Sequence, residues 1–515
     1  MYPGTFAALT PGKPAVVMAG SGETLTYAEL DRNSARLARM LHDSGLRQGD
    51  VIALLSDNTP AFFEIYWAAL RSGLYVTAIN RHLAPEEVAY IVADSGSKVL
   101  FASAGVHELA EALVPLTPEL GARYAFGGTI AGHESYVDAL AAASAEPLAE
   151  QPLGGPMLYS SGTTGRPKGV RVTVPKVQVD DPAADVLVPF LKHVIGLGQD
   201  DAYLVPAPLY HAAPLRWAAG VHALGGTVVV MEKFDAERTL ETIERYHVTA
   251  TQVVPTMFVR MLKLPADVRQ RYDLSSLRVA VHAAAPCPVE VKRAMMDWWG
   301  EIVHEYYGAT EGYGLTVVGP EEWKSKPGTV GRSALGTVRV CAEDGAELPP
   351  GEIGLVYFER EVLPFEYHND PERTRAAQHP LHPNWTTVGD VGYLDNDGYL
   401  FLTDRKSFMI VSGGVNIYPQ EVENVLTPHP KVFDVAVIGV PDAEMGEQVK
   451  AVVQAAPGVV PGPDLERELI DYVRARIAHY KAPRSVDFIT ELPRTPTGKL
   501  VKHQLRARYA APANV

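Results

Sequence analysis

Apolar side chains recur at helical and strand spacing in alternating order along the first hundred residues. The segment TLTYAELDRNSARLARMLHDSG, residues 24–45, places Leu30, Leu37 and Leu41 on one helical face and opens with Thr26 three residues before Glu29, a capping-box pattern. Strand-like and helix-like pieces then alternate in the order VIALL, TPAFFEIYWAALRSG, LYVTAI, APEEVAYIVADSG and KVLFA. This alternation predicts βαβ units and a mostly parallel sheet.

The same alternation resumes after residue 200, with AYLVPAP, GGTVVVM, a helix from about Asp235 to Tyr246, TATQVV and LRVAVHAA. From about 320 to 404 the pattern changes to short β-like pieces separated by Gly, Pro and Asp turns, which predicts a small β-rich subdomain. Beyond Arg405 a compact αβ pattern follows, and we place a domain boundary near residues 405 to 408. The chain is therefore predicted to be an α/β protein.

Composition excludes several classes of protein. The 515 residues carry 46 Lys and Arg against 61 Asp and Glu, a net charge of −15, which is the wrong sign for tracking nucleic acid or an anionic membrane. Two cysteines, Cys287 and Cys341, cannot supply a four-cysteine zinc site or a disulfide framework. The N-terminus lacks a signal-peptide pattern, and no apolar run reaches the roughly 18 residues of a spanning helix. We expect a cytoplasmic protein with no membrane span and no nucleic-acid partner.

The strongest local motif is LYSSGTTGRPKGV, residues 158–170. Its glycines permit close backbone approach, its hydroxyls supply donors, and Lys168 or Arg166 supplies charge, a composition that binds phosphates. The spacing is not that of a Walker A loop. The residues predicted to contact phosphate are Ser160, Ser161, Gly162, Thr163, Thr164, Gly165 and Lys168. A polar surface loop is the alternative for a generic run of this kind.

The motif resembles the phosphate loop of the adenylate-forming enzymes, S-G-T-T-G-x-P-K-G. Three further stretches match that superfamily in order: EYYGATEGYG at 305–314, TVGDVGYLDNDGYLFLTDRKS at 387–407 and LPRTPTGKLVKHQLR at 492–506. Because the matches span nearly the whole chain, it is identified as a member of the adenylate-forming (ANL) superfamily and is similar to its AMP-forming acyl-CoA synthetases. In isolation, a solvated Glu311, a turn-capping Asp390 and a solvated Lys499 would be simpler interpretations.

The resemblance implies a nucleotide site for ATP or AMP and Mg²⁺. Its predicted residues are Tyr307 with Gly308 at adenine, Thr310 at the α-phosphate, Glu311 at Mg²⁺, Asp390 with Arg405 at the ribose, and Lys499 at the reacting phosphate. It also implies that His211, in PLYHAAPL, lies beside the substrate carboxylate, although a lone histidine in an apolar loop is more often structural. The segment SGGVNIYPQEVE resembles the passage for the pantetheine arm of CoA and contributes Ser412, Gly413 and Gly414, with a simple strand-to-helix turn as the alternative.

The acyl pocket is the least constrained part of the prediction. A run of small residues near Trp217 suits a bulky apolar acid, but alanines are also ordinary packing residues. These small residues are Ala212, Ala213, Ala218, Ala219, Ala283 and Ala284. No Asp is placed to pair with an α-ammonium group, so an amino-acid substrate is not expected. The sequence AAAP at 283–286 departs from the Gly-Gly-Ala-Pro of many relatives, and Val174 stands where many have histidine.

The family's two half-reactions imply a moving domain. The resemblance predicts an N-terminal AMP-binding domain at 1–404, with two αβ sheet subdomains and a β-rich subdomain, a hinge at 405–407, and a small mobile α+β domain at 408–515. The hinge position, usually Asp or Lys, is Ser407 here. We predict an acyl-CoA ligase that activates a hydrophobic carboxylic acid with ATP as acyl-AMP and transfers it to CoA.

Three alternatives remain open at this point. In the first, the enzyme is specialised for one half-reaction. In the second, it transfers the acyl group to a carrier-protein phosphopantetheine. In the third, the chain is a silent nucleotide-binding protein. A homodimer is left open as an assembly.

Overall fold

The structure, a computed structural model, describes residues 2–160, 167–185, 187–495 and 500–510. The strands are β1 (Pro14–Met18), β2 (Thr24–Thr26), β3 (Val51–Leu55), β4 (Tyr75–Ile79), β5 (Ser97–Ser103), β6 (Ala122–Phe126), β7 (Glu134–Ser135), β8 (Gly155–Ser160), β9 (Lys168–Val172), β10 (Ala202–Val205), β11 (Thr227–Val230), β12 (Ala250–Val253), β13 (Val279–His282), β14 (Val303–Gly308), β15 (Leu315–Val318), β16 (Arg332–Leu335), β17 (Thr337–Cys341), β18 (Gly354–Glu359), β19 (Phe365–Tyr367), β20 (Trp385–Thr386), β21 (Asp390–Leu394), β22 (Leu400–Arg405), β23 (Ile410–Ser412), β24 (Val415–Ile417), β25 (Val432–Asp442), β26 (Gly446–Ala455) and β27 (Ser485–Phe488).

The α-helices are α1 (Pro3–Leu9), α2 (Tyr27–Asp43), α3 (Pro60–Leu70), α4 (Pro85–Asp94), α5 (His107–Leu113), α6 (Tyr136–Ala142), α7 (Leu187–His193), α8 (Ala212–Leu224), α9 (Ala236–Arg245), α10 (Pro255–Leu262), α11 (Ala266–Arg269), α12 (Val289–Trp299), α13 (Pro320–Ser325), α14 (Pro371–Ala376), α15 (Pro419–Leu426), α16 (Pro463–Arg474) and α17 (Lys502–Ala510). Short 3₁₀ turns lie at Ala104–Val106, Lys406–Phe408 and His479–Lys481.

Two large sheets carry most of the chain before residue 370. One has the strand order β16-β15-β14-β13-β12-β10-β11-β1-β2, and the other β19-β9-β8-β4-β3-β5-β6-β7. Their inner strands pair in parallel, as β10 does with β11 and β12, and β3 with β4 and β5. The alternating segments of the sequence form these strands and the helices between them, and the predicted α/β fold class is confirmed.

Helix α2 shows how local sequence sets an element's limits. The Thr26 N–H donates to Glu29 Oε2 at 2.8 Å, and the Glu29 N–H donates to Thr26 Oγ1 at 3.2 Å, so the predicted capping box forms at the helix start. The chain leaves the helix through Gly45 at φ +96°, a left-handed backbone that glycine adopts without strain.

The later part of the chain forms two smaller sheets. Strands β17, β18, β21 and β22 form an antiparallel sheet with β20 at its side, in the region where the sequence predicts a β-rich subdomain. The last sheet has the strand order β24-β23-β26-β25, and β27 pairs in parallel with β26. The same segment of the chain contains helices α15, α16 and α17. The predicted domain limits stay a prediction. Within the described residues, no helix combines the length and apolar character needed to cross a membrane.

Side chains from both large sheets and from α3 and α8 belong to one apolar cluster. At its centre, the buried His222 of α8 accepts a hydrogen bond from the Trp67 indole N–H at Nδ1, at 3.3 Å. Because the indole is only a donor, Nε2 carries the imidazole proton and donates to the Ala15 carbonyl at 3.1 Å. Burial lowers the pKa of His222 to about 4, so this histidine is neutral in the folded protein at neutral pH.

We expect His222 to make the protein less stable in mild acid. The unfolded chain protonates a histidine near pH 6.5, whereas folded His222 resists protonation until about pH 4, so stability falls as pH drops through this window, by up to about 3 kcal/mol. His222→Gln preserves one acceptor and one donor without the titration. The difference in Tm between about pH 7.5 and about pH 5, which covers the upper part of this window, should therefore shrink in His222→Gln. It should stay unchanged in the exposed control His107→Gln, and an unchanged difference in both variants would contradict this role.

Candidate active site

One cavity of about 1360 Å³ lies where the ends of β4, β8 and β14 meet the start of α8 and the turn after β22. Parallel strands bring their carboxyl ends to the same edge, which is where ligands bind in α/β sheets. Most of the predicted site residues that the structure describes line this cavity: Ser160, Lys168, His211, Trp217, Ala284, Gly308, Thr310, Glu311, Arg405 and Ser407.

Part of the predicted site lies outside the described residues. This part comprises Ser161, Gly162, Thr163, Thr164, Gly165 and Lys499. The residues on either side of these gaps are placed: Ser160 ends β8 and pairs with Lys168 at the start of β9. The cavity is also lined by residues on either side of the 496–499 gap, namely Arg494, Thr495, Val501, His503 and Gln504. Both predicted motifs therefore flank the same cavity.

Lys168, Glu311 and Tyr367 form a charged group at one end of the cavity. The Tyr367 hydroxyl donates to Glu311 Oε1 at 2.8 Å, and Lys168 Nζ lies 4.8 Å from the centre of the Tyr367 ring. Burial lowers the pKa of Lys168, and the Glu311 carboxylate opposes that shift.

The acidic group at this end fits Mg²⁺ only as one ligand among several. Among the described residues, no three His, Cys, Asp or Glu side chains cluster to hold a metal by themselves. Mg²⁺ is commonly bound by one or two carboxylates together with substrate phosphates. Glu311, which lines the cavity with one oxygen engaged by Tyr367, fits that pattern.

A hydrogen-bonded network around Asp390 lies directly beside the cavity. The Tyr307 hydroxyl donates to Asp390 Oδ2 at 2.6 Å, and Arg405 Nε donates to Asp390 Oδ1 at 2.9 Å. The Tyr313 hydroxyl is hydrogen-bonded to that of Tyr307, and Asp390 raises the pKa of Arg405. Asp390 and Arg405 face each other across β21 and β22, so sheet register creates the pair. A carboxylate accepts about four hydrogen bonds, which leaves capacity for further donors.

The other end of the cavity is mostly apolar and aromatic. His211 immediately precedes α8, with its ring 4.4 Å from that of Tyr210. Trp217 is stacked between two tyrosines, with ring centres 5.6 Å from Tyr306 and 6.2 Å from Tyr203. This stack forms a flat wall of the acyl lobe, by which we mean the part of the cavity along α8.

The two predicted alanines after β13 are placed differently. Ala283 is buried and does not line the cavity, because the chain turns sharply after His282 and only the next residue faces the open space. Ala284 is exposed to the cavity and has φ +72°, the left-handed region that favours glycine. Glycine would adopt this backbone without strain, whereas in this chain the Ala284 methyl group projects at that point.

Sequence reasoning missed Arg216, Asp185 and Tyr306, all of which line the cavity. A signal for Arg216 was present, because it lies four residues after Ala212 and four before Gly220, on the same helical face. Asp185 is remote in sequence from the motifs, and only the packing of α7 beside α8 brings it near.

The segment predicted to pass the pantetheine arm does not line the cavity. Ser412 ends β23, and Gly413 at φ +57° and Gly414 at φ +78° make the turn into β24. A Cβ atom at Gly413 would lie 2.4 Å from the Met445 methyl group, so a side chain there would also collide with its neighbour. In the described arrangement, residues that flank the 496–499 gap line the cavity, whereas those of the 412–414 turn do not.

A buried charge cluster underlies the strands that carry the site. Lys292 Nζ lies 2.7 Å from Glu305 Oε2, and His282 Nε2 lies 3.3 Å from the same oxygen. Burial by itself would raise the pKa of Glu305, but His282 and Lys292 hold it well below its usual range. His282 ends β13 and Glu305 lies in β14, so the cluster ties together the two strands that lead to Ala284 and Gly308.

The sequence matches the AMP-binding enzyme family over residues 5–363 and the AMP-binding enzyme C-terminal domain over residues 421–499. It is 37% identical over 495 residues to a feruloyl-CoA synthase from an Amycolatopsis species, covering 95% of this chain and 94% of that protein. It is 33% identical over 514 residues to the long-chain-fatty-acid–CoA ligase FadD13 of Mycobacterium tuberculosis, covering 98% and 97%. The solved structure of the anthranilate CoA ligase AuaEII with anthranoyl-AMP superposes with a TM-score of 0.83 at 26% identity, covering 99% and 96%.

The chain therefore belongs to the AMP-binding enzyme family. The predicted membership of the adenylate-forming superfamily, alongside its acyl-CoA ligases, is confirmed.

We expect Lys292→Met to destabilise the protein strongly. The substitution leaves the Glu305 carboxylate buried without its closest cation, a loss worth about 3–5 kcal/mol in comparable cases. Adding Glu305→Gln should recover part of the stability because no charge then remains buried. Urea unfolding followed by tryptophan fluorescence measures both changes. The control Lys324→Met breaks an exposed pair with Glu301 and should cost less than about 1 kcal/mol; equal losses in Lys292→Met and Lys324→Met would contradict the assignment.

Proposed function

We propose that this protein, an AMP-forming carboxylic acid–CoA ligase, activates an acid with a largely apolar body and transfers it to CoA within one cavity. The observation that carries the proposal is the division of that cavity into a charged end, with Lys168, Glu311 and Arg405, and a mostly apolar lobe along α8. ATP and CoA are its cosubstrates, and AMP is released as a product. The names of two relatives, which specify ferulate and long-chain fatty acids, support an acid with an apolar body.

In the first half-reaction, the acid's carboxylate attacks the α-phosphorus of ATP and pyrophosphate leaves. His211 lines the cavity immediately before α8, which suits it to orient the carboxylate. Thr310 donates to the α-phosphate, and Lys168 and Lys499 balance the negative charge that develops on the phosphoryl oxygens. Mg²⁺ held by Glu311 supplies further charge neutralisation to the phosphates when it is bound.

The nucleoside is held by the Asp390 network. We assign the ribose hydroxyls to the free lone pairs of Asp390, with Arg405 holding that carboxylate in place at 2.9 Å. Tyr307 stacks on adenine, while its hydroxyl bond to Asp390 fixes the ring. We assign the phosphates to the motif that contains Gly162 and Gly165, on the basis of its glycines and hydroxyls.

In the second half-reaction, the CoA thiol attacks the acyl-adenylate carbonyl and AMP leaves. The described arrangement suits adenylation, because the 412–414 turn lies away from the cavity. We propose that residues 408–515 rotate relative to residues 1–404 about residues 405–407 and bring that turn to the cavity. The rotation must break contacts between the two parts, including the hydrogen bond from Lys263 Nζ to the Val432 carbonyl at 3.2 Å and that from the Gln420 N–H to Asp404 Oδ2 at 3.1 Å.

Lys499→Ala should separate the two half-reactions. Adenylate formation from acid and ATP should fall by on the order of 10² or more, because a preorganised cation at the transition state is lost. Thioester formation from supplied acyl-adenylate and CoA should survive. Mass spectrometry of both products over a panel of acids, with CoA or a phosphopantetheine carrier protein as acceptor, measures each step.

The same assay tests the proposed function. The exposed Lys431→Ala, in the same part of the chain, is the matched control and should retain both steps. If the wild-type chain forms no acyl-adenylate from any acid, the proposed function is wrong. If Lys499→Ala loses both steps equally, the assigned division of labour is wrong.

Ser407→Pro should preserve adenylation and suppress thioester formation. Ser407 lies in the 3₁₀ turn Lys406–Phe408, where φ near −50° to −70° matches the angle that proline imposes, so the described arrangement is favoured over the rotated one. The Ser407 N–H makes no hydrogen bond with the described residues, so proline removes freedom without removing a bond. Ser407→Ala, which keeps that freedom, should retain both steps. Full acyl-CoA turnover by Ser407→Pro would place the hinge elsewhere.

A further inference from the structure

Arg216 is a charged residue in the acyl lobe that the proposed chemistry does not use. It lies on the face of α8 that borders the cavity, with Ala212 one turn before it and Gly220 one turn after. It also borders a small adjoining void lined by apolar side chains, among them Val170 and Val172, and by Thr310. A guanidinium in such a setting is unusual, because charged groups are seldom placed against apolar walls without a partner.

Most of the hydrogen-bonding capacity of Arg216 is unused within the described part of the chain. Its one hydrogen bond runs from Nη2 to Asp185 Oδ1 at a long 3.4 Å. That same oxygen already accepts the Leu187 N–H at 2.8 Å at the start of α7. By comparison, Arg278 makes three hydrogen bonds to Asp201 at 3.1 Å or shorter. The Arg216–Asp185 contact is therefore too weak to account for the placement of the guanidinium.

Two phenol groups lie near the same guanidinium. Tyr66 and Tyr306 both line the cavity, and burial raises the pKa of each, with Arg216 opposing the rise. The lining of the mostly apolar and aromatic lobe therefore includes the Arg216–Asp185 pair and these two phenols. An entirely apolar acid would displace water from Arg216 and offer nothing in return, which costs binding free energy.

We propose that Arg216 determines substrate specificity by donating to a neutral oxygen on the body of the acid. This inference rests on the proposed function and deepens it by naming the substrate class: carboxylic acids whose apolar body carries a hydroxyl or a similar oxygen. Guanidinium N–H groups only donate, so the recognised atom is an acceptor.

The charge balance of the lobe favours a neutral oxygen over a second carboxylate. Arg216 and Asp185 carry opposite charges within 3.4 Å, so their sum is near zero and an additional anion would face Asp185 unpaired. A hydroxyl suits both groups, since it accepts from Arg216 and donates to Asp185 Oδ2, which has no hydrogen bond to the described residues. The hydroxyl is therefore the substituent that satisfies both side chains at once.

The experiment compares matched acids that differ by one oxygen. We would measure kcat/KM for CoA-thioester formation with cinnamate and para-hydroxycinnamate, and with octanoate and ω-hydroxyoctanoate, adding the dicarboxylate suberate as the anionic test. The wild-type protein should prefer the hydroxylated member in at least one pair by about 10- to 100-fold, the range of one hydrogen bond to a charged group. Arg216→Met, of similar length and apolar, should lose that preference, because the hydroxylated acid loses its donor while the unsubstituted acid no longer displaces water from a guanidinium.

Two further variants separate recognition from packing. Arg216→Lys keeps the charge without the planar fork and should retain an intermediate preference. Arg293→Met removes an arginine on α12 whose exposed partner is Glu290, and it should leave the preference unchanged. A structural defect would lower both members of each pair alike, whereas lost recognition lowers only the hydroxylated member.

The outcomes distinguish this inference from the proposed function. No thioester from any acid would overturn the proposed function itself. Thioester formation without an oxygen preference, an equal loss for both acids in Arg216→Met, or a preference for suberate would overturn the role of Arg216 and leave the ligase activity standing.

Discussion

The contact between α3 and α8 is the constraint on which the rest of the structure depends. Both helices are apolar on nearly every side, and such helices are stable only when other layers cover them completely. The two large sheets provide that cover, and their side chains join those of the helices in one apolar cluster. The Trp67–His222 hydrogen bond satisfies the polar atoms that this packing buries.

The position of α8 also shapes the cavity. One face of the helix belongs to the core, and another, with Ala212, Arg216 and Gly220, forms a wall of the acyl lobe. The small residues on that face leave open volume, while the stacked rings of Trp217 and Tyr306 close one side. The same packing that holds the two sheets together therefore sets the size and shape of the space for the acid.

Buried charges in this protein are mostly paired, which makes the exceptions informative. Glu305 is held by Lys292 and His282, Asp390 by Arg405, and Glu423 by Lys502 at 2.9 Å. These pairs fix strands and helices, because a buried charge that loses its partner is costly. Lys168 and Arg216 instead direct charge into the cavity, one at its charged end and one in the acyl lobe. In the proposed function, a bound ligand gives these two cations acceptors beyond the partners they already have, which for Arg216 is Asp185.

Sequence alone determined the elements and the class of chemistry, because hydrophobic periodicity, the Thr26–Glu29 cap and the ordered motifs are local properties of the chain. It predicted Lys168, Glu311, Asp390 and Arg405 as site residues without showing how they are arranged in space. Only tertiary structure decided that Ala284 rather than Ala283 faces the cavity, that Gly413 and Gly414 lie away from it, and that Asp185 approaches Arg216. The physical reason is that these placements depend on the exact turn after a strand and on packing between segments that are distant in sequence. A shift of one residue at such a turn changes which side chain faces the cavity.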